Sequence, residues 1–316
     1  MKKYLCILLI ISFLLAGCTK QEEYETSFFA FDTIVEFKLY EGGNQEILDE
    51  LKKEALRIEK LLNIHDETSV ISSLKGNSLE ENEISELIKL SNEMKELTQG
   101  AFDPYLGRVS ALWAFGTEEE NIPLKEDLDK YIALKIGESL EDLDLGSIAK
   151  GYAANQLQEL AKKAGVESAL FNLGGNIITL GNYQEGTYNI GIQDPLDQTG
   201  EIFGFVKMGE NSAVTSGAYQ RGFEEEGVWY HHILDPKTGY PVDNDLLSVS
   251  LVLEDSARAD AYSTALFVMG FDKAKEYAHL HSLPVILVRK DGAICLLNAE
   301  KFTFVLLKEE YFLLQE

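Results

Sequence analysis

Asp144-Leu145-Gly146-Ser147-Ile148-Ala149-Lys150-Gly151-Tyr152-Ala153 is the most informative stretch of this 316-residue chain. A short apolar run ends at Gly146, and apolar residues then recur every three to five positions, which predicts a helix that Gly165 ends. This helical stripe consists of Ile148, Tyr152, Leu157, Leu160 and Ala164. We predict a strand-to-helix corner at Gly146 and Ser147, where unpaired N–H groups and the helix dipole favour an anion. Lys150, one turn further on, adds a positive charge suited to a phosphate.

A second glycine corner follows at Asn172-Leu173-Gly174-Gly175-Asn176. Two ordinary tight turns would explain the glycines of both corners equally well. The spacing matches neither a Walker loop nor a dinucleotide fingerprint, so neither of those nucleotide-binding folds is predicted.

The N-terminus has the composition of a secretion signal. Two lysines precede the apolar run 5–15, which is too short to span a bilayer comfortably. Leu15-Ala16-Gly17-Cys18 resembles a bacterial lipoprotein signal. We therefore expect residues 1–17 to be a signal peptide, residues 18–26 a tether lipidated at Cys18, and residues 27–316 the folded domain. This predicts a protein anchored by lipid to the bacterial cell membrane, with its domain on the extracytoplasmic side. A plain signal peptide or a membrane anchor is the alternative.

The chain is strongly acidic, with a formal net charge of −25. Removing residues 1–17 takes away only Lys2 and Lys3, which leaves −27. Such a surface repels nucleic acid and anionic lipid head groups, so we expect no nucleic-acid partner. A phosphorylated substrate would need a local cation, either a metal ion or a basic side chain.

Helical patterns predominate in the first half of the chain and strand patterns after residue 166. Helices are predicted after the caps Asn44 and Asp255, near Asn82 and over residues 272–282, and one strand over residues 26–40. The acidic segment 117–130 is predicted to be a loop. Later strands are predicted over residues 168–173, 177–180, 188–193, 202–208, 213–216, 228–234 and 247–253. This order favours an α+β fold with a mixed, largely antiparallel sheet and flanking helices over a doubly wound parallel sheet.

Asp260 and Thr264 are four residues apart on a predicted helix and so project from one face. A carboxylate and a hydroxyl are hard oxygen ligands suited to Mg²⁺. The alternative is structural: an aspartate that interacts with the helix dipole and a threonine that bonds back to a carbonyl.

His231 and His232 precede Asp235-Pro236-Lys237-Thr238-Gly239, a strong turn sequence. In a strand the two imidazoles would point to opposite faces, so at most one would face a given pocket. An adjacent histidine indicates either acid–base chemistry or a phosphate contact, and the sequence does not decide between them.

Nine motifs, taken in order, resemble the ApbE family, the FAD:protein FMN transferases, over about residues 28–290. They are Phe31-Asp32-Thr33, Gly100-Ala101-Phe102-Asp103-Pro104, Leu112-Trp113-Ala114-Phe115-Gly116, Asp144 to Tyr152, Asn172-Leu173-Gly174-Gly175-Asn176, Gly191-Ile192-Gln193-Asp194-Pro195, Thr215-Ser216-Gly217, His232 to Pro241 and Asp260 to Gly270. The resemblance implies one large T-fold-related α+β domain of two intimate halves.

The resemblance also implies an activity: Mg²⁺-dependent transfer of the FMN part of FAD to a Ser or Thr hydroxyl of a target flavoprotein at the cell surface, with release of AMP. By position in the motifs, Asp260 and Thr264 would bind the metal, and Ser147 would lend a further oxygen, from its side chain or its carbonyl. His232 is the predicted catalytic residue, either as the base for the hydroxyl proton or as a phosphate contact. The implied FAD contacts are Phe31, His65, Ala101, Phe102, Asp103, Asp144, Lys150 and Ile233.

The sequence departs from the family pattern at four positions. Phe31 replaces a common Met, Ala218 an acidic or amide residue, and Ser263 a third acidic metal ligand of some relatives. His65 replaces an aromatic or amide residue over the flavin, where the contact could decide between transfer and hydrolysis. Two other functions therefore stay open: an FAD pyrophosphatase that releases FMN and AMP, and a flavin-binding lipoprotein without enzymatic activity.

Overall fold

The computed structural model describes residues 22–64, 69, 71, 83–134, 139–183, 186–197 and 199–315. The predictions for the signal peptide, Cys18 and His65 lie outside these residues. Seven α-helices occur within them: α1 (Gln45–Leu62), α2 (Glu83–Leu97), α3 (Gly107–Trp113), α4 (Lys125–Leu134), α5 (Gly146–Lys163), α6 (Ser256–Met269) and α7 (Phe271–Leu280).

The same residues form fourteen strands. They are β1 (Tyr24–Ala30), β2 (Thr33–Glu41), β3 (Ser168–Leu173), β4 (Asn176–Leu180), β5 (Tyr188–Gln193), β6 (Ile202–Met208), β7 (Ser212–Gly217), β8 (Gly222–Glu225), β9 (Val228–His231), β10 (Leu246–Leu253), β11 (Val285–Arg289), β12 (Ala293–Leu297), β13 (Thr303–Leu306) and β14 (Phe312–Leu313). Nine of them form one sheet in the order β1-β2-β3-β4-β7-β10-β11-β12-β14. Only the last pair, β12 with β14, is parallel among the described strands. The predicted α+β class with a largely antiparallel sheet is confirmed.

The nine-stranded sheet separates two hydrophobic cores. On one face it packs against helices that include α1, α5 and α6, around side chains such as Phe37, Phe171 and Leu251. On the other face, side chains such as Val252 and Ile286 pack against Phe203 of a three-stranded sheet, β13-β6-β5. Strand β10 lies in the middle and is buried on both faces, as its nearly uninterrupted apolar sequence requires.

Residues 26–40 do not form one strand but two, joined by a tight turn at Phe31 and Asp32. Both turn residues have positive φ, 53° and 55°, which a two-residue hairpin turn of the primed type requires. The sequence signal was missing because Asn and Gly, the usual residues of such turns, are absent here. The prediction of a single strand was therefore wrong.

The helix caps at Asn44 and Asp255 are confirmed. The Asn44 side chain accepts a hydrogen bond from the backbone of Ile47, and the Asp255 side chain accepts one from Arg258. Each cap satisfies a backbone donor that the first helical turn leaves without a partner. These local pairs place the beginnings of α1 and α6 where the sequence predicted them.

Two local predictions were wrong. No strand leads into α5: a 3-10 turn, Leu140–Asp142, comes first, and a short connection follows it. The acidic segment 117–130 contains the start of α4, which has Glu126 and Asp127 in its first turn, where the helix dipole favours negative charge.

Helix α5 buries a broader face than the predicted stripe. Ile148 and Leu157 are buried as expected, but Ala164 is exposed, and small residues such as Ala153 and Ala154 are fully buried instead. The helix packs against α1, α6 and the sheet, so small side chains are needed on several sides. The predicted amphipathic stripe is therefore only partly correct.

The C-terminal segment is joined to the small sheet through Asp194. Its carboxylate accepts hydrogen bonds from Tyr311 (2.5 Å), Lys308 (2.8 Å) and the backbone of Leu196 (2.9 Å). Burial alone would raise the pKa of Asp194, but these donors outweigh it and hold the pKa below its usual value. We call this group, Asp194 with Lys308 and Tyr311, the C-terminal latch.

No α-helix among the described residues has both the length and the apolar composition needed to cross a bilayer.

Replacing Asp194 with Ala should lower the free energy of unfolding by about 2–4 kcal/mol at pH 7, because Lys308 and Tyr311 lose a buried acceptor. The folded-state pKa is depressed, so this contribution is present above the unfolded value of about 3.9 and disappears as the pH falls through the folded value. Urea unfolding at pH 7, at about pH 4 and at about pH 2 measures it, because the loss is expected only below the unfolded value. Asp243→Ala, which removes a fully exposed carboxylate, is the control. An equal loss in both variants would contradict the role of the latch.

Candidate active site

A cleft of about 1550 Å³ opens beside the ends of the central strands. Its walls come from the β1–β2 turn, the start of α5, the end of β7, the hairpin β8–β9 and one face of α6. Segments far apart in sequence therefore meet around one space. The volume exceeds the roughly 300–1,000 Å³ usual for small-molecule sites, so it can hold a large ligand.

Most of the predicted site residues line this cleft. They are Phe31, Ala101, Asp103, Asp144, Ser147, Lys150, His232, Ile233, Asp260 and Thr264. Phe102 does not: its side chain is 1% exposed and packs in the main core. The contact of Phe102 with FAD therefore stays a prediction, and a buried side chain leaves only its backbone for such a contact. His65 lies outside the described residues.

Asp260 is held at the bottom of the cleft by a backbone donor. Its carboxylate accepts a hydrogen bond of 2.9 Å from the N–H of Gly151 on α5, and the residue is only 5% exposed. Burial raises the pKa of Asp260 to about 6, although the Lys150 ammonium, the Gly151 N–H and Asn176 favour the ionised form. Each pKa unit corresponds to about 1.4 kcal/mol, so the ionised form of Asp260 is disfavoured relative to that of a solvated aspartate even with Lys150 nearby.

A hydroxyl network adjoins Asp260 on α6. The hydroxyl oxygen of Ser216 lies 2.7 Å from that of Ser263 and 3.4 Å from that of Thr264. Ser263 also donates to the backbone carbonyl of Asp260 at 2.9 Å and is fully buried. Ser263 therefore supports the first turns of α6. Of the two neighbours Ser263 and Thr264, it is Thr264 that lines the cleft.

The residues expected to bind Mg²⁺ fit a divalent cation in their chemistry. Asp260 brings a carboxylate to the cleft, Thr264 a hydroxyl, and Ser147 a hydroxyl or a carbonyl oxygen. Mg²⁺ commonly takes one or two carboxylates while keeping several waters. A cation would also stabilise the ionised form of a carboxylate whose burial favours protonation. Among the described residues, no group of three or more His, Cys, Asp or Glu is placed to hold a metal ion.

The Asp144 carboxylate already binds one of the backbone N–H groups at the start of α5. Asp144 accepts a hydrogen bond of 2.9 Å from the N–H of Gly146, and the N–H of Ile148 bonds to the Leu145 carbonyl. The predicted anion site is thus reduced, because a side chain already uses one of the free N–H groups. Lys150 remains in the cleft with no hydrogen bond or ion pair to the described residues, and its charge acts on Asp260 and His232.

Both histidines line the cleft, contrary to the expectation that only one would. Strand β9 ends at His231, so the alternation of side chains does not extend to His232. Both ring nitrogens of His231 are engaged, by the Val242 carbonyl at 2.9 Å and the Ile233 N–H at 3.2 Å. Burial, the largest cause, lowers the pKa of His231, so His231 is a structural residue.

The ring of His232 is fixed by one carbonyl group. Its Nδ1 lies 3.1 Å from the Arg221 carbonyl oxygen, which also accepts the His232 backbone N–H. Since a carbonyl can only accept, Nδ1 carries the proton and Nε2 is left with a lone pair. Burial first, and then the Arg221 and Lys150 cations, lower the pKa of His232 to about 3. The imidazole is therefore neutral at physiological pH.

Arg221 is a cleft residue that the sequence did not indicate. It follows β7, lines the cleft, and makes an ion pair of 3.2 Å with Asp32 of the β1–β2 turn. No local pattern marks it, because its partners are distant in sequence. The nearby motif Thr215-Ser216-Gly217, which forms the end of β7, was the available signal.

The predicted turn after His232 is confirmed. The backbone of Gly239 donates to the Asp235 carbonyl, and the Asp235 side chain accepts from Lys237. Buried Trp113 donates from its indole nitrogen to the Gly239 carbonyl at 2.8 Å. This contact joins α3 to the turn and fixes the cleft wall behind His232.

Comparisons with known protein sequences all identify the same family. A model of the ApbE family matches residues 31–287. A FAD:protein FMN transferase of Klebsiella pneumoniae is 32% identical over 244 residues, which cover 72% of this chain and 76% of that protein. One from Treponema pallidum is 39% identical over 208 residues, covering 57% of this chain and 58% of that protein.

Solved structures agree on the fold. The crystal structure of an ApbE protein from Thermotoga maritima has a TM-score of 0.77 at 30% identity and covers 86% of this chain and 96% of its own. Flavin transferase ApbE from Vibrio cholerae has a TM-score of 0.74 at 23% identity and covers 90% of this chain and 97% of its own, which supports the fold alone.

Gly151→Ala should disturb both the fold and the cleft, because the added Cβ would lie 2.2 Å from the Ser256 carbonyl oxygen. Helices α5 and α6 must then separate, which costs about 1–3 kcal/mol of unfolding free energy and removes the donor from Asp260. The melting temperature and the affinity for flavin should both decrease. Gln156→Ala, on a partly exposed face of the same helix, should leave both unchanged. Wild-type stability of Gly151→Ala would contradict this packing.

Proposed function

The chain belongs to the ApbE family and is a flavin transferase, and from this premise we propose that it moves the FMN part of FAD to a Ser or Thr hydroxyl of a target flavoprotein and releases AMP. The observation that carries the proposal is the meeting of Asp260, Thr264, Ser147, Lys150 and His232 in one cleft. This set combines oxygen ligands, a positive charge and a neutral imidazole. A phosphoryl transfer needs positioning and charge neutralisation above all.

The proposed reaction breaks the phosphoanhydride bond of FAD and forms a phosphoester bond to the acceptor. The acceptor hydroxyl oxygen attacks the FMN phosphorus, and the bond from that phosphorus to the bridging oxygen breaks. AMP leaves with the bridging oxygen, and the proton of the hydroxyl goes to a base in the cleft. Water in place of the hydroxyl would give FMN and AMP, so positioning of the acceptor decides between transfer and hydrolysis.

We propose that Mg²⁺ binds at Asp260, Thr264 and Ser147, where the donor chemistry fits. When bound, Mg²⁺ supplies charge neutralisation at the diphosphate. Asp260 would contribute the charged oxygen, and its bond to the Gly151 N–H would keep its carboxylate in place. Lys150 would add a second positive charge at the same wall of the cleft.

His232 is the residue we propose to receive the proton of the acceptor hydroxyl. Its unprotonated Nε2 follows from the bond between Nδ1 and the Arg221 carbonyl, and no described residue donates a hydrogen bond to Nε2. A base with a pKa of about 3 is weak, but a bound diphosphate would neutralise nearby Arg221 and Lys150. The basicity of His232 would then rise when the substrate is present.

The remaining cleft residues are proposed to position FAD. Phe31 sits on the β1–β2 turn and lines the cleft, and its N–H donates to Glu59 at 2.7 Å, which fixes the backbone of the turn. Ala101, Asp103 and Ile233 lie on two other walls. The cleft volume of about 1550 Å³ leaves space for an acceptor loop beside a flavin dinucleotide.

We also propose that the protein acts at the cell membrane, held by lipid on Cys18 on the extracytoplasmic side. The support is the sequence Leu15-Ala16-Gly17-Cys18, followed by a short polar stretch before β1 at Tyr24. The target would then be a flavoprotein at the same surface. The negative charge of the chain keeps nucleic acid out of this scheme.

Incubating the protein with FAD, Mg²⁺ and a candidate surface flavoprotein tests the proposed function. Covalent flavin on the acceptor, seen by in-gel fluorescence, should appear together with AMP. FMN and AMP without covalent flavin would favour the pyrophosphatase. Bound flavin without AMP would favour a binding protein.

Asp260→Asn should reduce transfer at least a thousandfold, since one charged ligand of a catalytic metal supplies several kcal/mol. The same variant should lose any rise in melting temperature that Mg²⁺ gives the wild type. Glu254→Gln, on the surface just before α6, is the matched control and should behave as wild type. Transfer by Asp260→Asn at the wild-type rate would remove the metal from this scheme.

Cys18→Ala should move the protein out of the membrane fraction of cells or block its processing, because a lipid chain adds affinity for the bilayer and no chemistry. Cell fractionation with an antibody to the domain measures this. The purified variant should transfer flavin at the wild-type rate. Membrane retention of Cys18→Ala would contradict the anchor.

A further inference from the structure

Arg221 and Asp32 form an ion pair across the mouth of the cleft. The guanidinium nitrogen lies 3.2 Å from the Asp32 carboxylate, although the residues are 189 positions apart. Asp32 belongs to the β1–β2 turn and Arg221 to the segment between β7 and β8, so the pair joins two walls. Both residues line the cleft.

The ion pair is exposed and therefore easily exchanged. The side chains of Arg221 and Asp32 are 39% and 67% exposed, and such pairs contribute little to stability. The guanidinium donates one hydrogen bond of 3.2 Å to Asp32, whereas a phosphate can accept two parallel ones from it. A diphosphate in the cleft would therefore compete well for Arg221.

Arg221 is also placed beside the reacting part of the site. Its backbone carbonyl holds Nδ1 of His232 at 3.1 Å, so the residue is fixed next to that ring. Its positive charge is close enough to act on His232 together with that of Lys150. A guanidinium released from Asp32 would thus remain near both groups.

We propose that Arg221 binds a phosphate oxygen of FAD, and that Asp32 holds the guanidinium until FAD displaces it. This inference rests on the proposed function, since it names a further ligand of the same substrate. Asp32 then acts as a competitor of the substrate. The two residues must therefore have opposite effects on affinity, although they form one ion pair.

Variants of the two residues test the exchange through the binding of FAD, measured by quenching of flavin fluorescence without acceptor. Arg221→Gln should weaken binding about tenfold or more, the value of a charge-assisted hydrogen bond. Asp32→Asn should tighten binding about two- to fivefold, because an exposed pair no longer has to break. Asn tolerates the positive φ of 55° at position 32, so the turn is retained.

The double variant separates competition from simple repulsion. If Asp32 acts by holding Arg221, the gain from Asp32→Asn should vanish in the Arg221→Gln background. A gain that persists there would mean that Asp32 only repels the phosphates, and would overturn the exchange. Weaker binding by Asp32→Asn would make the pair a structural tie and would also overturn it.

Two controls keep the result specific. Glu93→Gln removes a comparable ion pair, in which the side chain of Arg258 is 35% exposed and that of Glu93 50% exposed. This pair does not line the cleft, so the variant should leave FAD binding unchanged. Riboflavin, which lacks phosphate, should bind all variants equally. If the wild type binds FAD but transfers no flavin, the proposed function fails while the exchange remains testable by binding alone.

Discussion

Helices α5 and α6 approach each other so closely that only glycine fits at position 151, where a Cβ would meet the Ser256 carbonyl at 2.2 Å. The same approach brings the Gly151 N–H to the Asp260 carboxylate. One contact thus determines both the packing of α5 against α6 and the orientation of Asp260, because the Gly151 N–H that binds the carboxylate lies where the two helices touch. The small residues of α5 follow from this constraint, and so does the position of Lys150 one residue earlier.

Burial acts in opposite directions on the two central groups of the cleft. It raises the pKa of Asp260 to about 6 and lowers that of His232 to about 3, so in each case it favours the neutral form. A cation beside Asp260 and a polyanion beside Lys150 and Arg221 would each relieve one of these costs. The electrostatics of the cleft therefore supports the proposed binding of a metal and a diphosphate together. This holds in a chain whose overall charge of −25 would repel a diphosphate.

The sequence was most informative where the physical cause is local. The caps at Asn44 and Asp255 act over three residues, and both helix starts were predicted correctly. The β1–β2 turn was missed because Phe31 and Asp32 take positive φ, which their residue types do not indicate. Arg221 was missed because its partner Asp32 lies 189 residues away. The family motifs nevertheless identified cleft residues that are distant in sequence, since most of the residues they indicated line the cleft.

The C-terminal latch ties the assembly of the cleft to the order in which the chain is made. Asp194 adjoins Pro195 and Leu196 of the cleft wall, yet its partner Lys308 comes 114 residues later. A chain that emerges N-terminus first, from the ribosome or across a membrane, exposes Asp194 before that partner. During this interval β13 cannot join β6, and the wall lacks its support. Binding competence is thus acquired late, so an interrupted nascent chain would lack a finished cleft.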